Sequence, residues 1–160
     1  MNTQMLLIIG ALLLLSLISL SVNRAVLLSQ ETSSEGDAVL VATSLAQSLI
    51  EEVSRKKFDQ KVVSGSVTKP DSLTPTSRLG PDAGEVFPNF NDLDDFNGCS
   101  RTTSTQLLGN FRLKCRVWYT DSTLVGDSTS SRTFMKTISV VADSNGFLKS
   151  PVTLRTILSY

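Results

Sequence analysis

The chain has no histidine among its 160 residues. Ser-His-Asp and Cys-His catalysis are therefore excluded, as is any His-ligated metal site. Cysteine is scarce as well. Cys99 and Cys115 are the only two, too few for a thiolate zinc or iron–sulfur centre. Excess charge is missing: 15 basic and 15 acidic side chains cancel, which argues against a dedicated nucleic-acid binder. No Asn-x-Ser/Thr sequence occurs, so N-glycosylation at that motif is out. What the chain does have is apolar material, 41% of it, more than a disordered polymer carries. Its length suits one domain with an appendage.

That apolar material is concentrated at the front. Met5 to Val22 is 18 residues without a charge, an amide or a proline; eight are Leu, three Ile and one Val. At roughly −0.3 to −0.6 kcal/mol for each of these at a helix centre, the twelve contribute about −4 to −7 kcal/mol to membrane insertion. As a helix the stretch is about 27 Å long, close to the hydrocarbon thickness of a bilayer. A membrane helix is the leading reading. Its rival is a cleaved signal peptide, but Met-Asn-Thr-Gln lacks the basic n-region, and Val22-Asn23-Arg24-Ala25 is a poor cleavage site. Whether Met1 is the initiator or a processed N-terminus stays open. Arg24 weakly favours a cytoplasmic C-terminal side. The cysteine pair and the Ser/Thr-rich remainder favour an oxidising compartment, and they outweigh one arginine.

Residues 29–37, Ser-Gln-Glu-Thr-Ser-Ser-Glu-Gly-Asp, are weak helix formers, and Gly36 costs about 1 kcal/mol relative to alanine. Ser34-x-x-Asp37 also reads as a capping box, so a break or restart is expected here. Residues 38–57 then form an amphipathic helix. Val41, Leu45, Leu49 and Val53 recur at i+4 with Ala38, Ala42, Ala46 and Ile50 alongside, and Arg55, Lys56 and Lys57 fall in its last turn. Residues 1–57 thus read as a helical stalk, with 5–28 as its hydrophobic part.

Residues 58–160 read as a globular head. Over 58–98, Pro70, Pro75, Pro81 and Pro88 leave little room for regular structure. Residues 99–160 switch to a period of two. Phe111, Leu113, Cys115, Val117 and Tyr119 face one way; Arg112, Lys114, Arg116 and Trp118 face the other. Arg101–Gln106, Thr133–Val141 and Val152–Tyr160 are further strands, with a turn at Asp143-Ser-Asn-Gly146. An antiparallel meander of three or four strands follows, packed on the 38–57 helix, in an α+β fold. A Cys99–Cys115 disulfide would close a loop of about 15 residues, worth roughly 3 kcal/mol. A hairpin turning at 107–110 does not set the two opposite each other. Two separate buried thiols remain the alternative.

No active site is visible, and no enzyme, cofactor or resident metal is expected. Asp92, Asp94, Asp95 and Asn97 could offer oxygens to calcium, but the spacing is not that of an EF-hand loop. A solvated turn is the favoured reading. Arg112, Lys114 and Arg116 form a basic stripe, which Arg132, Lys136 or Arg155 would extend across the sheet. The bland reading is a solvated face. The head's 11 basic and 10 acidic residues leave no large steering field. An exposed Trp118 on that face suggests a subunit contact.

The order of apolar helix, amphipathic helix, loop and antiparallel sheet resembles a type IV pilin or pseudopilin. Ala46-Gln-Ser-Leu-Ile-Glu-Glu-Val-Ser-Arg-Lys-Lys-Phe-Asp59 is similar to the end of the long helix in minor-pilin-like proteins, and Phe90-Asn-Asp-Leu-Asp-Asp-Phe96 resembles a loop of the same group. Two features depart from the family: Met5 stands where its N-terminal motif carries a glutamate, and the frequent helix-kinking proline is missing. The resemblance implies a ladle-like subunit of an extracellular, bacterial type IV pilus-like filament. Before assembly it would sit in the inner membrane, and its partners would be further copies of itself and the pilus assembly machinery. It also implies a filament core made by Met5, Leu6, Leu7, Ile8, Ile9, Leu12, Leu13, Leu14, Leu15, Leu17, Ile18, Leu20 and Val22. Arg112, Lys114, Arg116, Trp118, Asp92, Asp94 and Asp95 become candidate subunit contacts. Two other roles stay in play: a minor pseudopilin or tip component, and an anchored periplasmic binding module that never polymerises.

Overall fold

The structure, a computed structural model, describes residues 2–123 and 126–160. The question of Met1 lies outside them. One helix, α1, runs over Thr3–Ser54, followed by the short α2, Gln60–Ser64, and by three single turns of 3-10 helix. The strands are β1 (Ser100–Thr105), β2 (Gly109–Tyr119), β3 (Met135–Ser144) and β4 (Val152–Ser159). They form one four-stranded antiparallel sheet in the order β1-β2-β3-β4. The meander and the α+β class are as the alternation predicts.

The break expected at residues 29–37 is absent, and α1 passes through it. Propagation of an existing helix costs little per residue, so one glycine worth about 1 kcal/mol does not stop it. The Thr32 hydroxyl donates to the Leu28 carbonyl at 2.9 Å, satisfying itself inside the helix instead of competing with it. The chain does divide into two compact units next to this stretch, one ending at Asp37 and the other starting at Ala38.

In the second unit, α1 lies on one face of the sheet. Its innermost residues are Ala38, Ala42, Ala46, Leu49, Ile50 and Val53; Val41 and Leu45 sit at the margin. The buried seam is therefore displaced toward the alanines relative to the expected row. Small side chains let the helix approach closely, and larger ones from the sheet fill the space: Phe111, Leu113, Cys115, Val117 and Tyr119 from β2, and Ile138, Val140 and Ala142 from β3.

The helix ends at Ser54, so Arg55, Lys56 and Lys57 fall beyond its last turn. Lys57 instead forms a parallel bridge with Asp92. Its N–H donates to Asn91 O (3.3 Å), and its carbonyl accepts from Leu93 N–H (2.9 Å). Lys56 Nζ donates to the Phe90 carbonyl at 2.5 Å. The segment just after α1 and the Asp-rich segment are thereby laced together.

Candidate functional surfaces

Three features carry chemistry. The first is the apolar stretch of α1. Each of the thirteen large side chains from Met5 to Val22 proposed as core is exposed, by 44% at Ile9 to 71% at Leu7. The helix is long and apolar enough to cross a membrane, with a mean hydropathy of 2.7 over its best window. In water, so large an uninterrupted apolar surface is untenable.

The second is the segment carrying Asp92, Asp94 and Asp95. The expectation of a solvated turn is wrong: all three are 98–99% buried. Phe90, Leu93 and Phe96, spaced by three, point into the core and pull the intervening turn down with them. The Phe90 and Phe96 rings meet edge-on at 5.0 Å. Asp92 Oδ1 accepts from the Asp94 and Asp95 N–H groups (2.7 and 3.3 Å). Asp95 Oδ2 accepts from the Asn91 and Asp92 N–H groups (2.9 and 3.1 Å). The oxygens considered for calcium are thus turned to backbone donors and to a lysine, not to a common centre. Buried this way, none of the three reaches a neighbouring subunit, which removes them as contacts.

That lysine is Lys136. The sequence reading placed it on the basic stripe, but it shares the core-facing side of β3 with Ile138 and Val140 and is fully buried. Its Nζ donates to Asp94 Oδ1 (2.6 Å), Asp59 Oδ2 (2.9 Å) and Phe58 O (2.8 Å), and it lies over the Phe58 and Tyr119 rings. Asp59 also accepts from the Tyr119 hydroxyl (3.0 Å), the Thr74 hydroxyl (2.9 Å) and the N–H groups of Thr74 and Lys61.

One cation faces two carboxylates, and the donors decide between them. Burial alone would raise Asp59, but Lys136 and the N–H donors outweigh it and hold the pKa at about 2. Asp94 has only Lys136 as a side-chain partner, and its Oδ2 none, among the described residues. There burial wins against Lys136, and the pKa rises to about 7. Burial and the Asp95 charge raise Asp92 to about 6. Burial keeps the Tyr119 phenol protonated.

The third feature is the outer face of the sheet. Arg112, Lys114, Arg116 and Trp118 do project there together, and Arg155 of β4 joins them. Arg116 and Arg155 flank Ser139 in register, and the Arg155 guanidinium lies 5.8 Å from the Trp118 ring centre. Arg112 is bridged to Asp143 at 3.7 Å. Arg132 is not part of the stripe: it donates to the Leu73 carbonyl at 3.1 Å and faces Asp71. Trp118 is half-buried, and its Nε1 has no hydrogen-bond partner among the described residues.

Compared with protein-family models, with curated proteins and with solved structures, the chain matches none. The likeness that remains is architectural: a long N-terminal apolar helix whose later part packs on a small antiparallel sheet, a pilin-like arrangement.

Cys99 and Cys115 are free thiols, the second buried. The expected register is corrected here. The β1–β2 turn occupies 106–108, which sets Cys99 directly across from Cys115. Gly98, at φ +82°, is the first residue of a bulge: its N–H donates to Cys115 O (3.0 Å), while Cys115 N–H donates to Cys99 O (2.9 Å). Phe96-Asn-Gly-Cys99 is a type II turn, with Asn97 at φ −69°, ψ 118° and a Cys99 N–H to Phe96 O bond of 3.1 Å. Burial pushes the Cys115 thiol up to about 12 and raises Cys99 as well.

Proposed function

We propose that this chain is a structural subunit of an extracellular type IV pilus-like filament, held in the inner membrane by residues 5–28 until it assembles. The observation that carries the reading is the bare apolar length of α1. Only lipid or an equally apolar surface relieves it, and copies of the same helix supply that surface at fixed stoichiometry. On leaving the bilayer the helices pack against each other and bury the same area again, so the transfer is close to neutral in hydrophobic terms and is decided by packing. The head stays folded outside that core. An assembly machine is the partner that lifts the helix from the membrane; no cofactor and no nucleic acid enters.

Shearing the cell surface and imaging the released fibres by helical cryo-electron microscopy tests this. Core density that fits Met5–Leu28, with the four-stranded head outside, is the expected result. Recovery of the chain only in the membrane fraction would replace the reading with a minor pseudopilin or an anchored monomeric module.

The same reading places the head in an oxidising compartment. A directly opposed strand pair has Cα atoms about 5.5 Å apart, inside the roughly 4.4–6.8 Å range of disulfides. Cys99 and Cys115 would then be bonded in the exported protein. With the Cys115 thiol held protonated, closure needs a disulfide-carrying oxidant, which takes up the two electrons and protons and leaves as a dithiol, and not air alone. Protein purified under alkylation should carry no label and weigh two hydrogens less than the reduced chain. Two labelled cysteines would count against an exported head.

A further inference from the structure

The sheet has two unlike ends. At one, Tyr119 and Lys136 are tied to Phe58 and Asp59, the residues just beyond the C-terminal end of α1. Ala38, where α1 leaves this unit, lies toward the other. From Ser54 back to Ala38 the helix runs about 24 Å, and from Tyr119 back to Phe111 the strand runs about 27 Å.

The connection at the first end, residues 120–134, holds two aspartates and eight serines and threonines. The two turns at the other end, 106–108 and 145–151, hold no carboxylate and carry Leu107, Leu108, Phe147 and Leu148. Turns are ordinarily built from Gly, Pro, Asn, Asp and Ser. Leu108 and Leu148 are accounted for, since both are partly buried against the core. Leu107 is 91% exposed and Phe147 36%. The turns lie side by side: a Cβ placed on Gly109 would sit 3.9 Å from the Phe147 ring. One exposed leucine needs no explanation. Two apolar side chains on adjoining turns, at the end of the sheet that lacks acidic residues, make an apolar tip.

The chain itself says which apolar phase is at hand. The apolar stretch of α1 ends at Leu28, about 15 Å of helix before Ala38. Leu107 lies four residues beyond Phe111, about 13 Å of strand. An interfacial side chain has to sink only about 5–10 Å into the boundary of headgroups and acyl chains. We propose that, before assembly, Leu107 and Phe147 seat the head on the bilayer, with the two turns resting in the headgroup layer. The proposal rests on the membrane-held stage of the filament reading and adds a second point of attachment to it, released when the subunit is lifted out.

Tryptophan fluorescence tests it. The full chain would be reconstituted in phosphatidylcholine vesicles, plain or brominated near the headgroup end of the acyl chains. One variant, Trp118→Phe/Leu107→Trp, puts the probe on the tip; the other, Trp118→Phe/Ser131→Trp, puts it in the connection at the far end. Bromine quenches an indole only on contact, and tryptophan suits the interface. The Leu107→Trp probe should lose most of its emission in brominated vesicles, with its maximum moved to the blue, and the Ser131→Trp probe should keep both. Melting in detergent reports whether each variant is folded. If Trp118→Phe unfolds the head, the same two substitutions in the chain that keeps Trp118, read as differences from the wild type, take its place. A probe at 107 that brominated lipid leaves unquenched would overturn the contact and leave the filament reading standing, whether it faces water or a second copy. Equal quenching at 107 and 131 would overturn it as well, because the head would then have no preferred end. A chain that does not float with the vesicles would overturn both.

Discussion

Lys136 interrupts the apolar alternation of β3, Lys-Thr-Ile-Ser-Val-Val-Ala, on its inward side. A lysine there folds only if its ammonium finds acceptors inside, and Asp59 and Asp94 supply them from the two segments that follow α1. The cluster ties the helix end, the Asp-rich turn and the sheet to one point. Removing its only cation leaves Asp59 buried and unpaired, so Lys136→Met should destabilise the head by about 3–5 kcal/mol in denaturant melts of the full chain in detergent. A loss under about 1 kcal/mol would mean that the pair is far weaker than its distances imply.

The same cluster sets a pH dependence. Asp94 has a folded pKa of about 7 against an ordinary 3.8, so the folded state binds its proton more tightly. Its contribution is full below about pH 4 and is lost as pH rises toward 7. Asp92, raised to about 6, acts in the same direction. Asp59, lowered to about 2, works the other way: its contribution is present above 3.8 and disappears as pH falls toward 2. The melting temperature should therefore peak near pH 4–5 and decline to about pH 7, with Asp94→Asn flattening most of the decline. A profile that rises from pH 4 to 7 would contradict the assignment of the ionised partner.

At the scale of elements, the closest contact is the alanine seam of α1 on β2 and β3. Ala38, Ala42 and Ala46 have no exposed surface at all, so no room exists for a longer side chain. Ala42→Leu should cost about 1–3 kcal/mol by overpacking, whereas Leu40→Ala, on the exposed side, should leave the melt unchanged. Equal effects at the two positions would mean that α1 does not pack through this seam. The existence of this helix and of all four strands was legible in the sequence, because apolar periodicity of 3.6 or 2 records which side is buried. The helix's contact side was legible as well: Leu49 and Val53 of the i+4 row and Ala38, Ala42, Ala46 and Ile50 beside it are buried, and Val41 and Leu45 sit at the margin, where the alanines let the helix come closest to the sheet. The Asp-rich segment was misread. Local turn chemistry describes Asp-Asp-Phe-Asn-Gly well, while the three-residue spacing of Phe90, Leu93 and Phe96 is too short a pattern to stand out. Placing the β1–β2 turn at 107–110 instead of 106–108 moved the partner of Cys115 from Cys99 to residue 102, because a strand register inherits any error in its turn. Lys136 was assigned to the wrong face although its own alternation with Ile138 and Val140 was there to be read.

For the whole molecule, the division at Asp37 and Ala38 separates an apolar unit with no core of its own from a folded one with a complete core. A change in the first should then act on assembly without touching the second. Leu13→Asp is the sharpest case. On the insertion scale it costs about 3–4 kcal/mol, which the roughly −4 to −7 kcal/mol of the surrounding stretch still covers, so the chain should remain in the membrane fraction. Among identical helices the carboxylate has no cation to meet and repeats in every copy, so packing fails where insertion survives. The expected outcome is a membrane-bound variant with the wild-type melting temperature and no sheared fibre. Fibres at wild-type yield would remove residues 5–28 from the core, whereas a lowered melting temperature would show that the two units depend on each other after all.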